Sequence, residues 1–513
     1  MASDNMCVAP TDLVCSVYNN SQVDFTKTPS EKVPERGPDY FVVEGEVNPL
    51  LVDLGKLAFA LLPFACDLNN NSPKLDASNP GFTPPDGGRS GGQDAVAQDR
   101  YVPPSVDAPP PIDAPRQPFF IERVNVGTGE TETNDSSGEP HISTDGRFIV
   151  FTSVATNLLG SVARGERNVY LRDRVRRTTT QISVSPNASN ANGNSSYPSV
   201  NISGQFVAFP TQATNLVTGG NGVDEYVFRD TMNNTTERLF VGIGGAEPNG
   251  GSLFLECPFL MSDDGRYVVF TSTATNLVSG TQGFRGASKV YVRDRFRQMT
   301  EAVSFVPNGT PEDGVSFPNA ISRDGLFVVF NSSSTTQVPN DTNNTSDVFV
   351  RDRMSNTTER ISVSSIGIEG NNRSYGGNIS DDGRYVPFVS DSTNFTSQPI
   401  NTTAIFLRDR QAGTTEFISP GRVDNPPSIS ANGRFVVWPE NGGIYVRDRV
   451  RQITQRVDIN ANGLSANSYS NQPIISGDGR YVVFVSQASN LVPSDTNNQP
   501  DVFVVGLSYF FAP

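Results

Sequence analysis

One phrase returns seven times along the chain. It reads STDGRFIVFTSVATNLL from Ser143, SDDGRYVVFTSTATNLV from Ser262, SRDGLFVVFNSSSTTQV from Ser322 and SDDGRYVPFVSDSTNFT from Ser380. SANGRFVVWPENGG from Ser430 and SGDGRYVVFVSQASNLV from Ser476 continue the series, and a worn copy, ISGQFVAFPTQATNLV, begins at Ile202. A unit repeated this often means that the fold is an array of like pieces, none of which buries its apolar face alone.

Each unit carries four strand signals. In the first, EPHIS (A) meets RFIVFTS (B) across Asp145-Gly146, a pair that tolerates positive φ and so favours a tight hairpin. NVYLRDR (C) and TTTQISVS (D) follow, and B to D alternate apolar and polar residues as half-buried strands do. The turn glycines Gly146, Gly204, Gly265, Gly325, Gly383, Gly433 and Gly479 are spaced 58, 61, 60, 58, 50 and 46 residues apart. Four strands at this period make one blade of an all-β β-propeller. Signals A, B and C occur seven times, whereas D follows only the first six C strands. The missing D stands at the other end of the array, as FFIERVNVG at 119–127, which has the form of TERISVS. The expectation is seven four-stranded blades over 119–506, closed by pairing of this N-terminal strand with the last blade, and a short tail at 507–513. Six blades is the alternative if the worn second copy is not a blade.

The phrase S-x-D-G-R-φ-φ-φ-F followed by φ-Y/F-V-R-D resembles the PD40 repeat of TolB-like, WD40-like propellers. That resemblance covers 119–506 and implies a bacterial envelope protein of the periplasm or outer surface that binds other envelope components. It implies no chemistry, because propellers host many functions. The six-bladed archetype of that family differs from the seven blades counted here.

The first 118 residues differ in character. The stretch VDLGKLAFALLPFAC at 52–66 has one Lys, a short apolar core and a small residue before Cys66, the parts of an export signal. It resembles a bacterial lipoprotein signal with Cys66 as the lipidated residue, although Pro63 and Phe64 depart from that pattern. On this reading 1–51 is untranslated or a disordered extension. Residues 67–118, rich in Pro, Gly, Asp and Asn, form a linker too poor in apolar residues to bury a core. No run of 18 apolar residues exists to span a membrane as a helix.

Function classes are narrowed mainly by what is missing. A net charge of -15 disfavours nucleic acid and anionic surfaces alike. Four scattered cysteines form no disulfide framework, and Cys257 reads as a small buried hydrophobe rather than a nucleophile, since a single histidine, His141, is present to serve as its base. The A-strand positions two before the motif serine, taken as His141, Asn201, Leu260, Ala320, Asn378, Ser428 and Ile474, contain no carboxylate pair and no metal-ligand set. The Arg-Asp pairs that end the C strands recur too regularly for a site and read as architecture.

Two loop patterns are more specific. NDTNNTSDVFV and SDTNNQPDVFV place Asp341, Asn343 and Asp347, and Asp495, Asn497 and Asp501, at positions 1, 3 and 7 of a B–C loop, a spacing of oxygen ligands that suits Ca²⁺. Neither loop carries the closing bidentate Glu of an EF-hand. In the sixth blade the B–C loop shrinks to PENGG beside Trp438, the only tryptophan, so a notch is expected there. Asn441 would be its contact residue, and Trp438 is read first as core and second as a partner contact. Because B–C and D–A loops share one face and are long, the sequence reads as an exported, non-enzymatic scaffold that binds a protein or glycan there. The rival is a carbohydrate-active enzyme with loop carboxylates.

Overall fold

The computed structural model describes residues 119–159, 166–218, 225–251, 261–279, 287–305, 313–396, 400, 402–421 and 425–511. Strand β1 (Ile121–Arg123) comes first. Blade 1 is β2 (Ser137–Ile142), β3 (Phe148–Ser153), β4 (Asn168–Asp173) and β5 (Thr178–Gln181), and blade 2 is β6 (Ser199–Val200), β7 (Phe206–Thr211), β8 (Glu225–Asp230) and β9 (Thr235–Arg238). Blade 3 shows β10 (Tyr267–Ser272), β11 (Lys289–Asp294) and β12 (Met299–Ala302), with Met261 bridged to Val268 where an inner strand would lie. Blade 4 is β13 (Ser316–Ile321), β14 (Phe327–Ser332), β15 (Asp347–Asp352) and β16 (Thr357–Arg360). Blade 5 is β17 (Ser374–Gly376), β18 (Tyr385–Ser390), β19 (Ala404–Asp409) and β20 (Thr414–Pro420). Blade 6 is β21 (Ser428–Ile429), β22 (Phe435–Glu440), β23 (Gly443–Asp448) and β24 (Ile453–Arg456). Blade 7 holds β25 (Ser470–Ile475), β26 (Tyr481–Ser486) and β27 (Asp501–Gly506).

The worn second copy is therefore a blade, and the count is seven. The seventh sheet runs β1-β27-β26-β25, with Ile121 opposite Val505 and Arg123 opposite Phe503. A side-chain detail identifies 119–127 as the displaced D strand. In the D segments of blades 1, 3 and 4, Ser183, Ser304 and Ser362 accept through Oγ from the amides of Val169, Val290 and Val348 at 3.0, 2.9 and 3.1 Å. Asn125 does the same through Oδ1 for Val502, at 2.9 Å. The residues after β27 continue the blade: a 3₁₀ turn spans Leu507–Tyr509, and Leu507 and Phe511 are buried.

The recurrence of the phrase has a packing cause. Each turn glycine is in the left-handed region, and a Cβ there would strike an aromatic ring of the preceding blade: Tyr481 at Gly146, Phe148 at Gly204, Phe206 at Gly265, Tyr267 at Gly325, Phe327 at Gly383, Tyr385 at Gly433 and Phe435 at Gly479. The aromatic that follows D-G-R in one blade is thus the floor under the next blade's turn, and the series closes from blade 7 to blade 1. The motif arginine binds the aspartate that ends its own C strand, as Arg147 Nε and Nη2 bind Asp173 at 3.0 and 2.7 Å. The second arginine of R-D-R clamps neighbouring blades. Arg174 donates to the Gly146 carbonyl at 2.5 Å, pairs with Glu122 at 2.6 Å and lies 4.3 Å from the ring centroid of Tyr481. Arg295, Arg353, Arg410 and Arg449 repeat this arrangement. The repeated Arg and Asp are architecture, as their regularity predicts.

The second half of the phrase ties the long loops together. Asn134 Nδ2 donates to Thr156 Oγ1 at 2.7 Å, its Oδ1 accepts from the Thr156 amide, and Asn157 Nδ2 donates to the Glu132 carbonyl at 2.8 Å. The same lacing joins Asn192 to Thr214 and Asn215, Asn249 to Thr275 and Asn276, Asn371 to Thr393 and Asn394, and Asn467 to Ser489 and Asn490. Sequence A-T-N is thus a loop fastener, and the long-loop face is held by side-chain bonds rather than left slack.

Candidate functional site

The inner strands meet around the axle of the wheel and set three tiers of groups there. At the long-loop end, Glu139, Tyr197 and Gln472 precede prolines and have φ of 51°, 41° and 51°, a strained state for residues other than glycine. That backbone turns each amide toward the previous blade. Asn425 Oδ1 accepts from the Gln472 amide at 3.2 Å, Gln472 Oε1 from Glu139 at 3.0 Å, and Glu139 Oε2 from Tyr197 at 2.9 Å. The other Glu139 oxygen binds Arg167 at 2.7 Å. Glu139, Tyr197, Asn425 and Gln472, with Pro140, Pro198, Pro426 and Pro473, line a recess of about 60 Å³. A second recess of about 240 Å³ runs outward along the seam between blades 7 and 1, sharing Glu139 and Gln472 and lined also by Arg167, Tyr469 and Asn471.

The middle tier is closed and quiet. His141 is buried, its Nδ1 accepting from the Val200 amide at 3.2 Å, and burial together with the nearby Arg323 guanidinium pushes its pKa down to about 3. It is neutral at physiological pH, as a hydrogen-bonded channel residue should be. Asn378 holds both polar groups of Ile429, at 2.6 and 3.0 Å. Asn201 does not belong to this tier: its Oδ1 accepts from the Phe206 amide at 2.9 Å just as Ser143 Oγ does from Phe148, so Asn201 replaces the motif serine and Ser199 holds the inner position. Taking Ser203 as the motif serine of the worn copy places Asn201 two residues out of step. Leu260 and Cys257 lie outside the described residues.

The third tier, at the short-loop end, was missed because it sits one residue after the motif serine instead of two before it. Arg323 lies against Gly477 of blade 7, where a Cβ would fall 1.7 Å from its Nη2, and it pairs with Asp263 at 3.9 Å and Asp381 at 3.4 Å. Asp263 also accepts from Thr144 Oγ1 at 2.7 Å. Burial outweighs these partners and raises both carboxyls above the usual range. Two acids and a guanidinium thus converge on the axle, where the inner-strand positions of the repeat hold no carboxylate pair.

The loop aspartates are brought together, with companions that the spacing did not reveal. Asp341 and Asp347 meet Glu369 around Arg360, at 3.1, 3.6 and 2.5 Å, and Asp495 and Asp501 meet Glu132 around Arg123, at 3.3, 3.1 and 2.8 Å. Each acid trio is close enough to hold one cation. The guanidinium does the neutralising that the calcium expectation assigned to an ion, so an ion enters only by displacing it. Asn343 and Asn497 act as braces: their Oδ1 atoms cap the amides of Thr345 and Gln499, and Asn343 Nδ2 donates to Asp347 at 3.1 Å. Three carboxylates share one cation, and burial raises Asp341, Asp347 and Asp495 to about 6. Glu369 and Arg360 were readable in GIEG and TER only once the D strand of one blade is placed beside its own B–C loop.

Trp438 is buried, stacked on Tyr445 with its Nε1 donating to Glu440 at 2.8 Å, so the indole offers a partner no surface. The notch is present as a two-residue turn at Asn441-Gly442, both in the left-handed region, and the exposed group there is Asn441 itself. Cys66 and every residue before 119 lie outside the described residues.

The chain is a seven-bladed β-propeller. No family model matches it, and no curated protein matches it in sequence. Among solved structures it is similar to an oligogalacturonate lyase in complex with manganese, at 10% identity over 77% of this chain and 98% of that one, with a TM-score of 0.49. It is also similar to the β-propeller domain of the Trilobed protease from Pyrococcus furiosus, described as having an open velcro topology, at 11% identity over 73% of this chain and 94% of that one, with a TM-score of 0.42. TolB from Acinetobacter baumannii gives 13% identity, coverage of 66% and 59%, and a TM-score of 0.34. At such identities no property of those proteins passes to this chain.

Proposed function

We propose that the protein is an exported, non-enzymatic scaffold of the bacterial envelope that binds an extended protein or glycan segment on its long-loop face. The observation that carries this reading is the pair of adjoining recesses at the axle mouth and the blade 7–1 seam, lined by Glu139, Tyr197, Tyr469 and Gln472 and framed by laced loops. A groove of prolines, tyrosines and amides suits an elongated ligand that needs apolar contact and a few fixed hydrogen bonds. Strained backbone at Glu139, Tyr197 and Gln472 is the kind of cost that persists at ligand sites. On this reading 52–66 exports the chain and Cys66 carries a lipid anchor behind the 67–118 linker. Mass spectrometry of the native N-terminus tests that part, an unmodified Cys66 counting against it.

The test of binding is a double substitution, Tyr469→Ala with Gln472→Ala, in the native full chain. Capture of a partner from envelope extract, or retention on peptidoglycan and polysaccharide columns, should fall roughly tenfold with the melting temperature kept. Undiminished capture would count against the site. The enzyme reading survives through one observation, the convergence of Asp263 and Asp381 on Arg323 with both carboxyls raised. Polysaccharide turnover abolished by Asp263→Asn or Asp381→Asn would favour it.

A further inference from the structure

Charge and unused hydrogen-bonding groups narrow what can fill the two long-loop recesses. Of the residues that line them, only Glu139 and Arg167 are charged. They neutralise each other at 2.7 Å, and the second Glu139 oxygen accepts from the Tyr197 amide and from Thr152 Oγ1 at 2.9 and 3.1 Å. An acidic or basic ligand would leave its own charge without a partner there, at a desolvation cost that a neutral ligand does not meet.

Neutral side-chain donors, by contrast, are left over. Asn425 Oδ1 and Gln472 Oε1 each accept a backbone amide of the next blade, which fixes the carboxamide and leaves its NH₂ group unused among the described residues. The carboxamides of Asn471 and Gln487, in the seam recess, bond to no other described group. Backbone donors are already spent. The amides of Glu139, Tyr197, Gly376 and Gln472, at the inner edges of four blades, donate to side chains at distances between 2.9 and 3.2 Å. A peptide bound by strand addition needs such amides free, so it finds no edge to pair with here.

Blade 6 supplies the way in. Its B–C connection is the two-residue turn Asn441-Gly442, and a Cβ on Gly442 would lie 3.2 Å from the Tyr469 ring, so the ring rests on that turn and is left 38% exposed. Tyr469 also lines the seam recess, so one path runs from the notch over this ring to Asn471, Gln487 and Gln472. We propose that a neutral polysaccharide strand lies along this path, with a sugar ring against Tyr469 and sugar oxygens on the carboxamides of Asn471, Gln472 and Gln487. This rests on the reading that the long-loop face is the binding face. Sugar hydroxyls donate and accept, as carboxamides do, and carry no charge. The tyrosine offers apolar surface to the C–H face of a sugar while its hydroxyl stays polar.

The test is native electrophoresis of the full chain through gels containing dextran, galactomannan or hydroxyethyl cellulose, with alginate as the acidic polymer and poly-L-proline as the peptide. At least one neutral polysaccharide should retard the chain, and alginate and poly-L-proline should not. Asn471→Ala with Gln487→Ala should weaken that binding roughly tenfold at unchanged melting temperature. Inserting Gly-Ser-Gly-Ser between Asn441 and Gly442 should weaken it too, by covering Tyr469. Failure of every neutral polysaccharide to retard the chain, equal retardation by alginate, or full binding by the double variant would overturn the proposal. Retardation by poly-L-proline alone, lost in Tyr469→Ala with Gln472→Ala, would overturn the glycan and keep the binding face. No retardation by any polymer, together with partner capture that this last variant leaves undiminished, would remove the binding face as well.

Discussion

At the scale of single residues, the repeat is explained by glycine and the ring beneath it. Gly325 has φ of 76°, and a Cβ there would lie 2.2 Å from Tyr267. Gly325→Ala should therefore cost about 2–4 kcal/mol, from left-handed strain and forced overlap together, measured by denaturant unfolding. Gly367, with φ of 79° and nothing near its Cβ site, should lose only the strain part, about 1–2 kcal/mol. The acid trios make a second prediction. Asp341, Asp347 and Asp495 have carboxyls raised to about 6 in the folded chain from an ordinary 3.8. Folding therefore holds protons that the unfolded chain has released, so this contribution to stability is complete below 3.8 and is lost as pH rises through about 6. Asp173, Asp294, Asp409 and Asp448 are lowered by their arginine and turn amides, and their contribution is lost in the opposite direction, as pH falls below 3.8. Between those ranges the melting temperature should drift down with pH, and Asp341→Asn should flatten the drift. A melting temperature that rises steadily from about pH 5 to 8 would contradict this. Added calcium should leave it unchanged while Arg360 occupies the trio, and a rise of several degrees would mean that the ion displaces the guanidinium.

At the scale of elements, blades are joined by the second arginine of R-D-R. Arg449 donates to the Gly433 carbonyl at 2.7 Å, faces Glu416 at 3.4 Å and lies 4.2 Å from the Tyr385 ring centroid. Arg449→Met keeps the stem and removes the bonds, and should cost about 1–2 kcal/mol. Strand order was legible in the sequence because period-2 alternation and D-G turns are local signals. So was the displaced D strand, since FFIERVNVG keeps the pattern of TERISVS. What escaped reading depends on contacts between blades. Arg323 meets Asp263 and Asp381 only because three blades converge on the axle, and Glu369 meets Asp341 only because a D–A loop folds back over a B–C loop. The worn second copy misled by two residues because Asn201 imitates the serine with a longer side chain.

At the scale of the whole molecule, the seventh sheet has its fourth, outermost strand only because β1 supplies it. Beyond the three paired residues, Asn125 binds both Val502 and Asp501, and Arg123 anchors Asp495 and Asp501, so the closure is fastened by side chains as well as by the ladder. Hydrogen exchange followed by mass spectrometry tests this most directly. Peptides covering 119–127 and 501–506 should be protected together and lose protection in one concerted step under denaturant. Exchange of 119–127 at the rate of an unfolded chain, while 501–506 stays protected, would contradict the closed wheel.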